Sequence, residues 1–201
     1  MEIFLIILGS YLLGSIPFSH LFPKIKGHDV RKKGTMNIGA TNALVVAGPV
    51  LGALALAGDI AKGYLAVSLA VYYSPLPWVA AAAGLAAMLG HCFSIFLKFK
   101  GGKGIATMGG ALLAFDLVFG IFVVLFWILL ILVTRYFILS TLIMAALIPL
   151  MMWVLNKRTE YIVFGVLALL LALYTHRQDI KRLISGQELN TSESVKHYLK
   201  K

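Results

Sequence analysis

Seven stretches of this chain are apolar over enough length to cross, or nearly cross, a lipid bilayer: near residues 3–22, 44–58 continuing through 60–73, 78–97, 104–116, 117–134, 137–155 and 160–175. A spanning helix needs about 20 mostly apolar residues, and fewer where part of it lies within protein. With 60% hydrophobic and 13% charged residues, and a mean hydropathy of +0.91, the chain lies far from the balance of a soluble domain. The expectation is an all-α, polytopic membrane protein of about seven transmembrane helices, forming a single integral membrane domain over residues 1–201. Asp59 and Lys62, three positions apart, share a helix face and can pair, so 44–73 is expected as one long helix.

Basic residues set the expected orientation. With seven spans and the N-terminus outside, the inner loops hold Lys24, Lys26, Arg31, Lys32, Lys33, Lys98, Lys100, Lys103, Arg135, Arg177, Lys181, Arg182, Lys196, Lys200 and Lys201, which is 15 of the 18 Lys and Arg residues. Lys157 and Arg158 fall outside and Lys62 within a span, as the excess of positive charge in cytoplasmic loops requires. The first span starts at Glu2 without a basic leader, so it does not read as a cleavable signal peptide. The net charge of +10 follows from topology and attraction to anionic inner-leaflet lipids; no solvated basic domain remains for nucleic acid. Cys92 is the lone cysteine, which excludes an internal disulfide, and the scattered carboxylates form no metal cage. No cofactor is implied.

Between the spans remain three polar segments, all cytoplasmic on this topology. The first, KGHDVRKKGTMNIGATN over 26–42, gathers Gly34, Thr35, Asn37, Gly39, Thr41 and Asn42 just before a helix. Consecutive backbone N–H groups there can form an anion-binding concavity, and the helix N-terminus adds partial positive charge. Taken alone, this loop is read more simply as a Gly/Asn turn with an N-cap. The second, GHCFSIFLKFKGGKGIATMGG over 90–110, sets Lys98, Lys100 and Lys103 around Gly101, Gly102 and Gly104, with Thr107 opening a short helix. Glycines let a backbone approach an anion and lysine supplies a compact charge; an ordinary basic loop with a glycine hinge fits equally well. It is not an ATP-type phosphate loop, because Leu97 and Gly104 stand where that pattern needs Gly and Ser or Thr. His91 reads as a core histidine bonded to a carbonyl. The third segment, HRQDIKRLISGQE over 176–188, begins where the last span reaches water; most of its charges read as solvated or snorkelling, and a few could close a site.

The chain has no Gly-Xaa-Ser-Xaa-Gly elbow, and no His is followed five residues later by Asp. Two anion cradles beside helices suited to acyl chains point instead to a phosphorylated lipid precursor, with catalysis by positioning and electrostatics. In order along the chain, GSIPFSHLFPKIKG, GTMNIGATN, GHCFSIFLKFKGGKGIAT and HRQDIKRLISGQE resemble the bacterial acyl-phosphate:glycerol-3-phosphate acyltransferase family over nearly the whole length. The resemblance implies transfer of an acyl group from acyl phosphate to the 1-hydroxyl of sn-glycerol 3-phosphate, giving lysophosphatidic acid and phosphate. It further implies a multi-pass protein of the bacterial inner membrane, with a cytoplasmic active site, membrane lipids around it and a monomeric state. By motif, the catalytic residues would be Lys103, Thr35, His176 and Glu188. Asn37, Thr41, Asn42, Gly101, Gly102, Gly104, Thr141 and Asp179 would bind substrate phosphate. Lys103 would stabilise developing negative charge, the glycines would open the approach, and a phosphate oxygen of the substrate would take the attacking hydroxyl's proton.

This sequence departs from the family pattern at defined positions. Thr35 replaces Ser but keeps the hydroxyl; Met36 replaces a Gly that can require a positive φ; Val45 stands where the family has Arg; Asp179 replaces Asn; Ser94 replaces Pro. Loss of the Arg removes a charged hydrogen bond of about 1.5–3 kcal/mol, which Lys33 or Arg177 would have to replace. Two alternatives therefore stand beside an active enzyme: a catalytically impaired paralogue with a regulatory or lipid-binding role, and a transporter of a phosphorylated solute, suggested by glycine-interrupted helices.

Overall fold

A computed structural model describes residues 1–194 as helices joined by short loops; Lys196, Lys200 and Lys201 lie outside the described residues. The helices are α1 Glu2–Ser15, α2 Phe18–Ile25, α3 Ala40–Ala47, α4 Pro49–Tyr73, α5 Pro77–Cys92, α6 Ile105–Phe115, α7 Leu117–Thr134, α8 Phe137–Val154, α9 Thr159–Thr175 and α10 Arg177–Ile184. Five stretches are long and apolar enough to cross a membrane: Glu2–Ile25, Pro49–Tyr73, Pro77–Leu97, Leu117–Thr134 and Phe137–Val154. A sixth results if α9 and α10, bent by 66° at His176, count together, while α6 is a shorter apolar helix.

The breaks have local causes. Pro17 separates α1 from α2, since proline lacks the N–H that would continue the ladder. The helix expected over 44–73 runs unbroken through Asp59 but starts only at Pro49. Gly48 has φ +88, so Leu44–Ala47 belong to α3 instead. Asp116 ends α6 in an extended conformation and caps α7 by accepting the N–H of Phe119 at 2.9 Å.

The core is built on α4, α5 and α6, with α1 laid against α5 and α8 and α9 closing the other side. Its buried centre includes Val67, Met88, Leu112, Ile148 and Phe164. In hydrocarbon the gain comes from close packing, which favours small residues at helix contacts. Gly63 on α4 faces the carbonyl of Thr107, and Gly110 on α6 faces that of Ile60, so a side-chain carbon at either would overlap backbone.

Asp59 and Lys62 pair on the buried face of α4 at 2.9 Å, each 1% exposed. An unpaired charge in this environment is costly, and here neither lacks a partner. Asp59 also accepts from Ser19 Oγ at 2.5 Å on α2, and His91 Nδ1 of α5 lies 3.4 Å away. Lys62 Nζ donates to the Ile16 carbonyl at 3.0 Å. Ser94 Oγ donates to the Ser15 carbonyl at 2.5 Å, and Tyr11 OH to that of Phe93 at 2.7 Å. These bonds clamp the end of α1 to α2, α4 and α5, at the foot of the glycine-lysine segment.

Candidate active site

After α5 the chain makes a short 3₁₀ turn, Ile95–Leu97, and then two residues with positive φ, Lys98 at 54° and Phe99 at 61°. It folds back on the end of α5: Gly101 N–H donates to the Cys92 carbonyl at 3.0 Å and Gly102 N–H to the His91 carbonyl at 3.1 Å. Those carbonyls would otherwise lack partners at the helix terminus. A Cβ on Gly102 would overlap both the Ile38 carbonyl oxygen and His91 Nε2. At Gly101 a Cβ would likewise overlap the His91 and Cys92 carbonyls, so at both positions only glycine lets the backbone pack this closely. At Gly102 the first and second polar segments touch. Gly104, at φ +83, caps α6 against Cys92 and Met88.

The first segment is organised by Asn42, which is 1% exposed at the start of α3. Its amide nitrogen donates to the carbonyls of Val30 at 2.8 Å, Asn37 at 2.9 Å and Lys33 at 3.2 Å, and its oxygen accepts the Thr35 N–H at 2.8 Å. Asn42 thus shapes the loop with all its polar atoms, an arrangement its sequence position did not reveal. The hydroxyls of Thr35 and Thr41 lie at exposed positions, and Asn37 N–H points to Thr35 Oγ1 at 3.4 Å. Met36, 66% exposed, has φ +57, the left-handed conformation that favours glycine. Val45 lies half-buried on α3.

The third segment meets the second. Asp179, 4% exposed on α10, accepts from Lys103 Nζ and from Arg182 Nη2 in two short ion pairs. Arg182 Nε donates to Glu188 Oε2 at 2.9 Å. Thr175 Oγ1 reaches the Lys103 carbonyl at 3.4 Å. His176, 1% exposed at the bend between α9 and α10, has Nδ1 2.9 Å from the Ala172 carbonyl. A carbonyl only accepts, so Nδ1 carries the proton and Nε2 is left as the acceptor of the neutral ring. Burial, and then the charge of Lys103, push the His176 pKa below the usual histidine value.

Lys103, His176, Asp179 and Glu188 are thus drawn together, and Arg182 joins them. The sequence assigns Arg182 no role, although its i+3 spacing from Asp179 signals a shared helix face. Thr141, buried on α8, donates its hydroxyl to the Phe137 carbonyl at 2.8 Å and accepts from Trp127 Nε1 at 3.1 Å. Arg177 donates to the Tyr174 carbonyl at 2.9 Å and lies over that ring at 4.5 Å. Lys33 is exposed. Among the described residues no group of three His, Cys, Asp or Glu converges as a metal site would require. Chemically, the arrangement offers two cations, a buried imidazole and exposed hydroxyls at one end of an apolar bundle, which suits a phosphorylated, lipid-soluble substrate.

A family model described as glycerol-3-phosphate acyltransferase matches residues 4–186. A glycerol-3-phosphate acyltransferase of Thermotoga petrophila is 41% identical over 186 residues, covering 90% of this chain and 92% of its own. One from Desulforamulus reducens is 40% identical, covering 94% and 95%. The fold matches a crystal structure of PlsY, an integral membrane glycerol 3-phosphate acyltransferase in its glycerol 3-phosphate form. The TM-score is 0.90 at 33% identity, over 94% of this chain and 96% of that one. A second PlsY crystal structure, in a lysophosphatidic acid form, gives 0.90 at 32% identity, over 97% and 99%.

Proposed function

The chain belongs to the glycerol-3-phosphate acyltransferase family, and on that premise we propose that it makes lysophosphatidic acid from sn-glycerol 3-phosphate with acyl phosphate as donor. It is a multi-pass membrane acyltransferase acting on glycerol 3-phosphate. The oxygen of the 1-hydroxyl attacks the acyl carbonyl carbon, a new ester C–O bond forms, the bond from that carbon to the phosphate oxygen breaks, and phosphate leaves. The hydroxyl proton passes to a phosphate oxygen of the substrate.

The observation that carries this reading is the convergence of Lys103, His176 and the Asp179–Arg182–Glu188 chain from segments 76 positions apart. Lys103 stabilises negative charge on the carbonyl oxygen and the departing phosphate. Thr35, Asn37 and Thr41 in the first loop contribute hydroxyl and amide groups to phosphate, with Asn42 holding the loop in shape. Gly101, Gly102 and Gly104 let the backbone approach the phosphates beside Lys103. His176, neutral and oriented by Ala172, offers Nε2 as an acceptor; Glu188 orients Arg182. Thr141 adds a hydroxyl to the phosphate subsite.

Seven spans result if α6 and α9 also cross. The N-terminus then lies outside, and the C-terminus and active site lie on the cytoplasmic side of the inner membrane. The protein works as a single domain and a monomer among membrane lipids. Acyl transfer by detergent-purified protein tests the reading, with labelled glycerol 3-phosphate and palmitoyl phosphate or palmitoyl-CoA as donor. Lysophosphatidic acid from the phosphate donor alone, lost in Lys103→Ala, supports it; product from the CoA donor alone overturns the choice of donor.

A further inference from the structure

The cations at the meeting of the second and third segments do not wait open for an anion. Lys103 Nζ and Arg182 Nη2 bind opposite oxygens of one carboxylate, that of Asp179, whose side chain is 5% exposed. Arg182 stays 46% exposed at its side chain and keeps a second partner in Glu188 at 2.9 Å, while Lys103 is 22% exposed. A carboxylate bridging two cations has the shape and the sign of a phosphate edge, two oxygens each facing a donor. A phosphate carries more charge and a third oxygen, so it competes for the same two donors.

We propose that Asp179 is the resting counter-anion of the substrate-phosphate subsite. Its carboxylate holds Lys103 and Arg182 together, against their mutual repulsion, in the positions a phosphate requires. Glycerol 3-phosphate binds by displacing it, and Arg182 becomes a phosphate ligand beside Lys103, with Glu188 retaining the guanidinium orientation. Asp179 is therefore a specificity-determining residue that sets how much phosphate is needed to open the pair. This rests on the acyltransferase reading of the same site.

The test uses the full-length protein in detergent. Calorimetry measures binding of inorganic phosphate and of glycerol 3-phosphate, without acyl donor, to the wild type, Lys103→Ala, Asp179→Asn, Asp179→Ser, Arg182→Gln and Asp179→Asn/Arg182→Gln. The expected result is phosphate binding about tenfold tighter in Asp179→Asn and in Asp179→Ser, and a lower KM for glycerol 3-phosphate in the acyl-transfer assay. That gain disappears when Arg182→Gln is added. Affinity unchanged or weakened in both Asp179 variants, with Lys103→Ala still abolishing phosphate binding, overturns the counter-anion role alone. Phosphate binding indifferent to Lys103→Ala overturns the phosphate subsite itself. A purely structural Asp179 would lower the unfolding temperature without lowering KM.

Discussion

Lys62 Nζ reaches across 46 positions to donate to the carbonyl of Ile16 at 3.0 Å, at the residue where Pro17 breaks the first helix. The same ammonium pairs with Asp59 at 2.9 Å, and both side chains are 1% exposed. One buried ion pair therefore closes an orphaned helix end and joins α1, α2 and α4 beneath the active-site loop. Breaking such a pair from one side costs about 3–5 kcal/mol, because the partner charge is left buried without its counter-ion. Lys62→Met is expected to lower the unfolding temperature in detergent markedly, and the double variant Asp59→Leu/Lys62→Met to recover part of the loss. Equal loss in the single and double variants would show that the Ile16 contact matters more than the charge pair.

Met36 sits at φ +57 in the loop shaped by Asn42. A side chain in the left-handed region costs about 1 kcal/mol or more relative to glycine, and the exposed Met side chain returns little through packing. Met36→Gly is expected to increase hydrogen-exchange protection of the Thr35 and Asn37 amides and to raise kcat/KM. Lower protection would mean that chain entropy outweighs the strain.

Gly102 touches the Ile38 carbonyl and the His91 ring. Gly102→Ala forces the first and second segments apart, and a misplacement of about 1 Å near the chemistry can cost on the order of a hundredfold in rate. Acyl transfer should fall by that order while the unfolding temperature changes only modestly. Activity within about twofold of wild type would show that the two segments do not need this contact.

Burial, and then the Lys103 charge, hold the His176 pKa below the usual histidine value. Its contribution to stability is complete above about pH 6.5, the value of an unfolded histidine, and is lost as pH falls through the lowered folded value, since the unfolded state takes up the proton first. Over that window the loss is at most about 1.4 kcal/mol per pH unit. Unfolding in detergent between about pH 7.5 and 5 should show this slope in the wild type and a flatter one in His176→Asn. Identical slopes would assign the acid sensitivity elsewhere.

How much was legible in the chain follows from the range of each interaction. Apolar length is a local property, and it was enough to announce an all-helical membrane protein. The pairing of Asp59 with Lys62 follows from helix geometry over three positions, and the strain at Met36 follows from expecting a glycine there. The break at Gly48 was missed because the apolar run continues through it, and hydrophobicity does not register a change of backbone handedness. Asn42 read as one polar residue among several. Its four hydrogen bonds appear only when the loop curls around it.

The motifs determined which chemistry the chain carries, because charge, hydroxyl and glycine content is written residue by residue. Tertiary packing decided how those groups are used. It set Gly102 against Ile38 and His91, bent α9 into α10 at His176, and closed Asp179 on Lys103 and Arg182. Contacts between residues 76 positions apart depend on how close the intervening helices approach, and no local pattern records that distance.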